Sequence, residues 1–277
     1  MTTQNITLLN SLERNLPEGL LVDAAWLTRM GYSTSLRSQY VAAGWLEQPT
    51  RRVYQRPRGS VSWQQAVISL QTLLAQDLIV GGKTALELHG LAHYLQQATT
   101  VVYLYGPAPP PTWLKDLRGG FTFHYRNDAK LFKKCRASTA PHSLTPGTDG
   151  RRGRHDGTVE QPWGQWNWPL VISSPERAIL EFLYELPEHD SFHQADMLME
   201  GLSSLSPARL QPLLADCRNV KVKRLFLFFA ERHNHAWFKH LDRTAIDLGR
   251  GKRMLVKGGR YDSTYMITVP GDLDGVH

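Results

Sequence analysis

The stretch DAAWLTRMGYSTSLRSQYVAAG, Asp23 to Gly44, decides the fold of the amino-terminal part of the chain. Asp23 suits the cap of a helix over about Ala24 to Met30, which Gly31 ends. Ser33 suits the cap of a second helix, which Gly44 closes. Gly31-Tyr32-Ser33 leaves the short turn that a helix-turn-helix requires. Leu27, Met30, Leu36, Val41, Trp45 and Leu46 make an inner face, and Ser33, Ser35, Arg37, Ser38 and Tyr40 are then expected to point outward. Hydroxyls, a guanidinium and a phenol suit base edges and phosphates.

Working outward, WLEQPTRRVYQRPR, Trp45 to Arg58, reads as strand, turn and returning strand. Arginines cluster at the turn: Arg51, Arg52, Arg56 and Arg58 sit where a wing reaches sugar-phosphate while the second helix enters the major groove. The pattern is that of a winged helix-turn-helix over residues 1–58 that binds double-stranded DNA. The competing reading is a small helical domain with a solvated basic turn that docks protein.

The rest of the chain, 59–277, reads as a larger mixed α/β domain, so the expected class is α+β. Helical spacing runs from Ser62 to Ala75 and from Lys83 to Tyr94, strands are expected at Thr99 to Tyr105 and Phe121 to Tyr125, and a short helix at Trp113 to Leu117. Residues 138–161, rich in Gly, Thr, Pro, His and Arg, read as an exposed loop carrying the basic run Arg151 to Arg154. Ser173 and Glu176 read as a capping box for a helix over Arg177 to Leu186. Further helices fit Phe192 to Leu202, Ser206-Pro207 to Cys217, and Lys221 to Arg232.

A formal charge of +7 and a pI near 9.5 favour an anionic partner without deciding which. Cys135 and Cys217, far apart and outside any CxxC, read as reduced core thiols in a cytoplasmic protein. No apolar run approaches the roughly 20 residues of a membrane span.

Charge concentrates again near the end, in Lys221, Lys223, Arg224, Arg232, Lys239, Arg250, Lys252, Arg253 and Lys257, interleaved with Trp237, Phe238, Tyr261 and Tyr265. Those aromatics are either stacking faces for single-stranded RNA or DNA or core residues. Two tight basic turns bound an expected strand, Met254 to Val256, with Tyr265 to Val269 as its partner.

The winged segment, GKTALELHGL from Gly82 to Leu91, SPERAILE from Ser174 to Glu181, and KVKRLFL from Lys221 to Leu227 with Trp237-Phe238, IDLG from Ile246 to Gly249 and Gly251-Lys252-Arg253 together resemble the AbiEi antitoxins of bacterial abortive-infection systems. The resemblance covers nearly the full length, with the 138–161 insert unmatched. It implies an autorepressor of its own operon in a type IV toxin-antitoxin system of phage defence, with a nucleotidyltransferase toxin as functional partner and no need for stable toxin binding. It places operator contacts on Ser33, Ser35, Arg37, Ser38, Tyr40, Arg51, Arg52 and Arg56. Antitoxicity, and possible RNA contact, fall to the nine basic residues named above. No cofactor, metal or membrane is implied.

Two other classes stay open on the residues alone. One is a metal-dependent nucleic-acid enzyme holding Mg²⁺ through Glu176, Glu181 and Glu185, or through Asp247 beside Lys252. The other is a ligand-sensing regulator without a toxin. His89 and His93, four apart, resemble half a zinc site, but HExxH is absent, as are a P-loop and GxSxG, so no catalytic residue is expected.

Overall fold

The computed structural model describes residues 3–57, 59–92, 101–133, 144 and 157–274. Arg58, His93, Tyr94, Cys135, Arg151 to Arg154 and most of the expected loop lie outside the described residues.

The chain opens with helix α1 (Thr3–Asn15) and a short strand β1 (Leu21–Asp23), neither anticipated from the sequence, followed by α2 (Ala24–Arg29), α3 (Thr34–Ala42), β2 (Glu47–Thr50) and β3 (Val53–Gln55). Both expected caps are present: Asp23 Oδ1 accepts the Trp26 N–H at 2.7 Å, and Ser33 Oγ accepts that of Leu36 at 3.2 Å. Gly31 and Gly44 stop their helices at φ +89° and +75°, a region open to glycine without a Cβ penalty. The sheet runs β1-β3-β2, antiparallel throughout, so the wing hairpin is anchored on the strand that leads into α2. This is a winged helix-turn-helix in which β1 completes the sheet.

There follow α4 (Trp63–Gln71), β4 (Ile79–Val80), α5 (Gly82–Leu88), β5 (Val101–Gly106), β6 (Thr122–Asn127), β7 (Thr158–Trp163), β8 (Trp168–Ser173), α6 (Pro175–Tyr184), α7 (Phe192–Gly201), α8 (Pro207–Asp216), α9 (Val220–Arg232), β9 (Arg260–Asp262) and β10 (Ile267–Val269). Five strands form one sheet in the order β6-β5-β4-β8-β7. Its side chains alternate faces as a pleat dictates. Val102, Leu104, Leu170 and Ile172 pack with α4 and the winged unit, whereas Tyr103, Tyr105 and Val171 form a separate cluster with Ile79. Every residue of β8 is buried, as expected for an interior strand covered on both sides. A further core gathers α5 to α9 and β10, with Phe226, Phe229 and Phe182 among its largest members.

The winged unit is not a detached head. Leu12, Leu16, Leu27, Leu36 and Val53 share one core with Trp63, Val67 and Leu70 of α4. The Leu21 N–H donates to Ser69 Oγ at 2.8 Å. Gln71, fully buried, donates to the Leu78 and Val171 carbonyls and accepts the Val171 N–H at 3.0 Å, supplying ladder bonds that the two-residue β4 is too short to make.

Several expectations need correction. The helix entered at Gly82 ends at Leu88, with Gly90 at φ +72°, well before Tyr94. Thr158 to Gln161, read as loop, belong to β7 and pair with β8. The N-cap of α6 is Ser174, not Ser173, which is the last residue of β8. No strand forms over Met254 to Val256: the partner of β10 is β9, because Arg253 makes only an isolated bridge to Ile267. Cys217 is buried as expected, and burial pushes its thiol up to about 11. Among the described residues no helix is long and apolar enough to cross a membrane.

Candidate nucleic-acid interface

On α3 the buried side chains are Leu36, Arg37 and Tyr40, so the face turned away from the core carries Thr34, Ser35, Ser38, Gln39 and Ala42. Arg37 corrects the sequence expectation. Its Nη1 donates to the Ala24 carbonyl at 2.6 Å and its Nη2 to the Thr34 hydroxyl at 2.8 Å, so the guanidinium fastens α3 to the start of α2. A buried cation is tolerated because several oxygens replace its water. Tyr40 is likewise turned inward, edge-on to Tyr32 at 6.2 Å, and burial raises its phenol above the ordinary value. Ser33 is exposed, with its oxygen engaged in the cap. Ser35 and Ser38 remain on the outer face, and Ser38 also donates to the Thr34 carbonyl. Gln39, missed in the sequence, is exposed on the same face. An amide there matches the donor and acceptor edge of adenine.

In the wing, Arg51 and Arg52 form the exposed turn between β2 and β3. Arg52 takes φ +65°, costly for a side chain with a Cβ, and its carbonyl accepts the Ala24 N–H at 2.9 Å, which ties the wing turn to the amino end of α2. Arg56 does not join them. It pairs with Glu18 at 3.2 Å and lies 3.9 Å from Glu13, holding the wing's return strand against α1.

The nine C-terminal basic residues divide the same way. Arg224 is fully buried and donates to the carbonyls of Leu248, Gly249, Gly251 and Met266, clamping the basic loop onto α9. Burial lowers its affinity for the proton. Lys223 is buried too. Lys221 donates from Nζ to the Tyr184 carbonyl at 2.8 Å and to that of Leu186, closing the end of α6, and burial lowers its pKa. Arg232 pairs with Asp196 at 3.0 Å and donates to the Leu273 carbonyl. Burial works to raise the Asp196 carboxyl, but hydrogen bonds from His233 and Arg232 hold it below the usual range. Lys239, Arg250, Lys252, Arg253 and Lys257 are exposed. Of the interleaved aromatics, Trp237, Phe238 and Tyr265 are core. Tyr261 is exposed, with Lys252 Nζ 4.9 Å from its ring centre.

The two internal motifs meet. Glu181 is fully buried and accepts from the Gly82 N–H at 2.9 Å, the Ser173 hydroxyl at 2.8 Å and Arg177 Nε at 2.8 Å. Burial raises its carboxyl against the opposing pull of Arg177 and these donors. A Cβ on Gly81 would stand 2.2 Å from the same carboxylate, which is why glycine sits there. Glu176 accepts from the Ser206 N–H and from Arg209, and Glu185 takes Arg126 bidentately at 2.6 and 2.7 Å. Each of the three glutamates weighed for Mg²⁺ thus faces its own arginine, while Asp247 is exposed and accepts the Gly249 N–H at 2.8 Å. His89 Nε2 lies 2.9 Å from the Ser173 carbonyl, a tie between α5 and the end of β8. Among the described residues no three His, Cys, Asp or Glu side chains are placed to share a metal.

Beside this lock a cleft of about 900 Å³ opens between β6, the end of α6, the start of α9 and the loop around Arg253.

A family model described as "Transcriptional regulator, AbiEi antitoxin N-terminal domain" matches residues 5–97, and one described as "Transcriptional regulator, AbiEi antitoxin, Type IV TA system" matches residues 99–270. No curated protein matches the chain. Among solved structures it is similar to the RV2827C protein from Mycobacterium tuberculosis, at 16% identity and a TM-score of 0.55 over 96% of this chain and 91% of that one. At that identity the likeness concerns the fold. With both matches together spanning nearly every residue, the chain belongs to the AbiEi antitoxins of type IV toxin-antitoxin systems, a family of transcriptional regulators and not of enzymes.

Proposed function

We propose that this antitoxin represses its own operon by laying the outer face of α3 in the major groove of operator DNA, with Arg51 and Arg52 on the neighbouring sugar-phosphate. The supporting observation is a division of labour. The exposed face of α3, Ser35, Ser38, Gln39 and Ala42, carries no charge, while the wing turn beside it carries two exposed arginines. Neutral hydrogen-bonding groups read bases, and a flexible cation positions the protein on phosphate. Arg37 and Tyr40 support the geometry of α3 from behind.

The C-terminal part, in this reading, counters a nucleotidyltransferase toxin in the cytoplasm and contributes to phage defence. The exposed run Lys239, Arg250, Lys252, Arg253 and Lys257 is the surface available for that role and for contact with RNA. A paired assay tests both functions: a reporter driven by the operon's own promoter, and growth of cells expressing the cognate toxin. Arg51→Ala/Arg52→Ala is expected to release the reporter and keep protection, and Lys252→Ala/Lys257→Ala to do the reverse. An unreleased reporter contradicts operator binding through the wing.

A further inference from the structure

We infer that the cleft beside α9 is a binding site for a nucleoside phosphate, either free or as the unit of an RNA strand. Arg126, Lys130, Arg218, Lys221 and Arg253 line it against two carboxylates, Glu185 and Glu188. Glu185 is already neutralised by its bidentate contact with Arg126. Lys130, Arg218 and Arg253 are exposed and make no ion pair among the described residues, so their charge is directed to the cleft and its mouth. A concave wall focuses such charge on an anion more strongly than a flat face does. Asn219 and Val220, the cap and first residue of α9, also line it, which places the positive end of a thirteen-residue helix at the same point.

Two features select a nucleoside phosphate over a bare anion. The volume of about 900 Å³ lies within the range of sites that enclose a small organic ligand. Tyr125, Tyr184 and Leu255 supply an apolar wall, and Asn219, whose Oδ1 caps α9, keeps an amide NH2 able to donate to a base edge. The walls are also fixed before any ligand arrives. Arg126 is held by Glu185, and Lys221 by the carbonyls of Tyr184 and Leu186. Preset walls lower the ordering cost of binding. The site stands apart from the winged unit, so its failure would leave operator binding untouched.

The full chain is titrated by calorimetry with ATP, with inorganic phosphate and with a short single-stranded oligoribonucleotide, alongside Arg218→Ala/Arg253→Ala and, as an exposed basic control outside the cleft, Lys115→Ala. Among the described residues neither mutated arginine has a side-chain partner, so thermal melts of the double variant should match the parent. The expected result is saturable binding of ATP or the oligoribonucleotide, weakened at least tenfold in the double variant and unchanged in Lys115→Ala. Binding of ATP assigns the site to free nucleotide, and binding of the oligoribonucleotide alone assigns it to a strand. Overturning results are no binding of either at millimolar ligand, equal binding by the double variant, or inorganic phosphate binding as tightly as the nucleotide.

Discussion

Glu181 and Gly82 lie 99 residues apart and are joined by a 2.9 Å hydrogen bond from the glycine N–H to the buried carboxylate. The bond seats the amino end of α5 on α6, and the same carboxylate holds Arg177 and Ser173. Removing the carboxylate leaves the Arg177 charge buried with fewer partners, so Glu181→Ala is expected to cost about 3–5 kcal/mol of stability. Gly81→Ala drives a methyl into the carboxylate and should cost about 1–3 kcal/mol. Urea unfolding measures both, and a loss under 0.5 kcal/mol for either contradicts the lock.

Arg37 and Gln39 are two residues apart and should behave oppositely. Arg37→Ala removes buried hydrogen bonds to Ala24 and Thr34 and is expected to lower stability by about 1–3 kcal/mol. Gln39→Ala, on the exposed face, should leave the melt within about 0.5 kcal/mol. Circular dichroism melts of the two variants separate the roles, and equal stability of both would contradict them.

These two residues also mark how far the sequence could be read. The starts of α2 and α3 were legible because caps are local: Asp23 and Ser33 each bond to an amide three residues on. The facing of Arg37 was not legible, since its partners lie on another element and sorting side chains by polarity turns every guanidinium toward water. Arg224 and Lys223 misled for the same reason. Gln39 went unread although it shares the exposed face with Ser35 and Ser38. The pairing of β10 was misassigned because strands of three residues carry too little alternation to fix a partner, and β1 was missed on the same ground.

The turn residue Arg52 sits at φ +65° with its side chain exposed. Arg52→Gly should relieve that backbone and raise stability by up to about 1 kcal/mol. The same change should lower operator affinity and make the dependence of log K on log salt shallower by about 0.9. Melts and salt-series binding of one variant check both, and a falling melt contradicts the assigned backbone conformation.

Asp190 is nearly buried, and its carboxyl is pushed up to about 6 by burial, with Lys83 at 4.0 Å pulling the other way and Glu185 and Glu87 adding to the rise. His189, the remaining neighbour, favours the charged form. Because the folded state holds this proton more tightly than the unfolded chain, the contribution is full below about pH 4 and is lost as pH rises to about 6. Asp190→Asn should therefore gain stability relative to the parent at pH 7.5, by at most about 3 kcal/mol at about 1.4 kcal/mol per pH unit, and lose that advantage at pH 4. Urea melts across pH 4–8 would contradict this if the difference between the two proteins were flat.

The most direct measurement of the regulatory role is fluorescence anisotropy of the full chain on its own upstream duplex and on a scrambled duplex at two salt concentrations, with Gln39→Ala and Arg51→Ala/Arg52→Ala alongside. Preference for the upstream duplex should survive the higher salt, collapse in Gln39→Ala by about 1–3 kcal/mol, and be retained at lower affinity in the wing variant. Equal, salt-sensitive binding of both duplexes, unaltered by Gln39→Ala, would contradict sequence reading by α3.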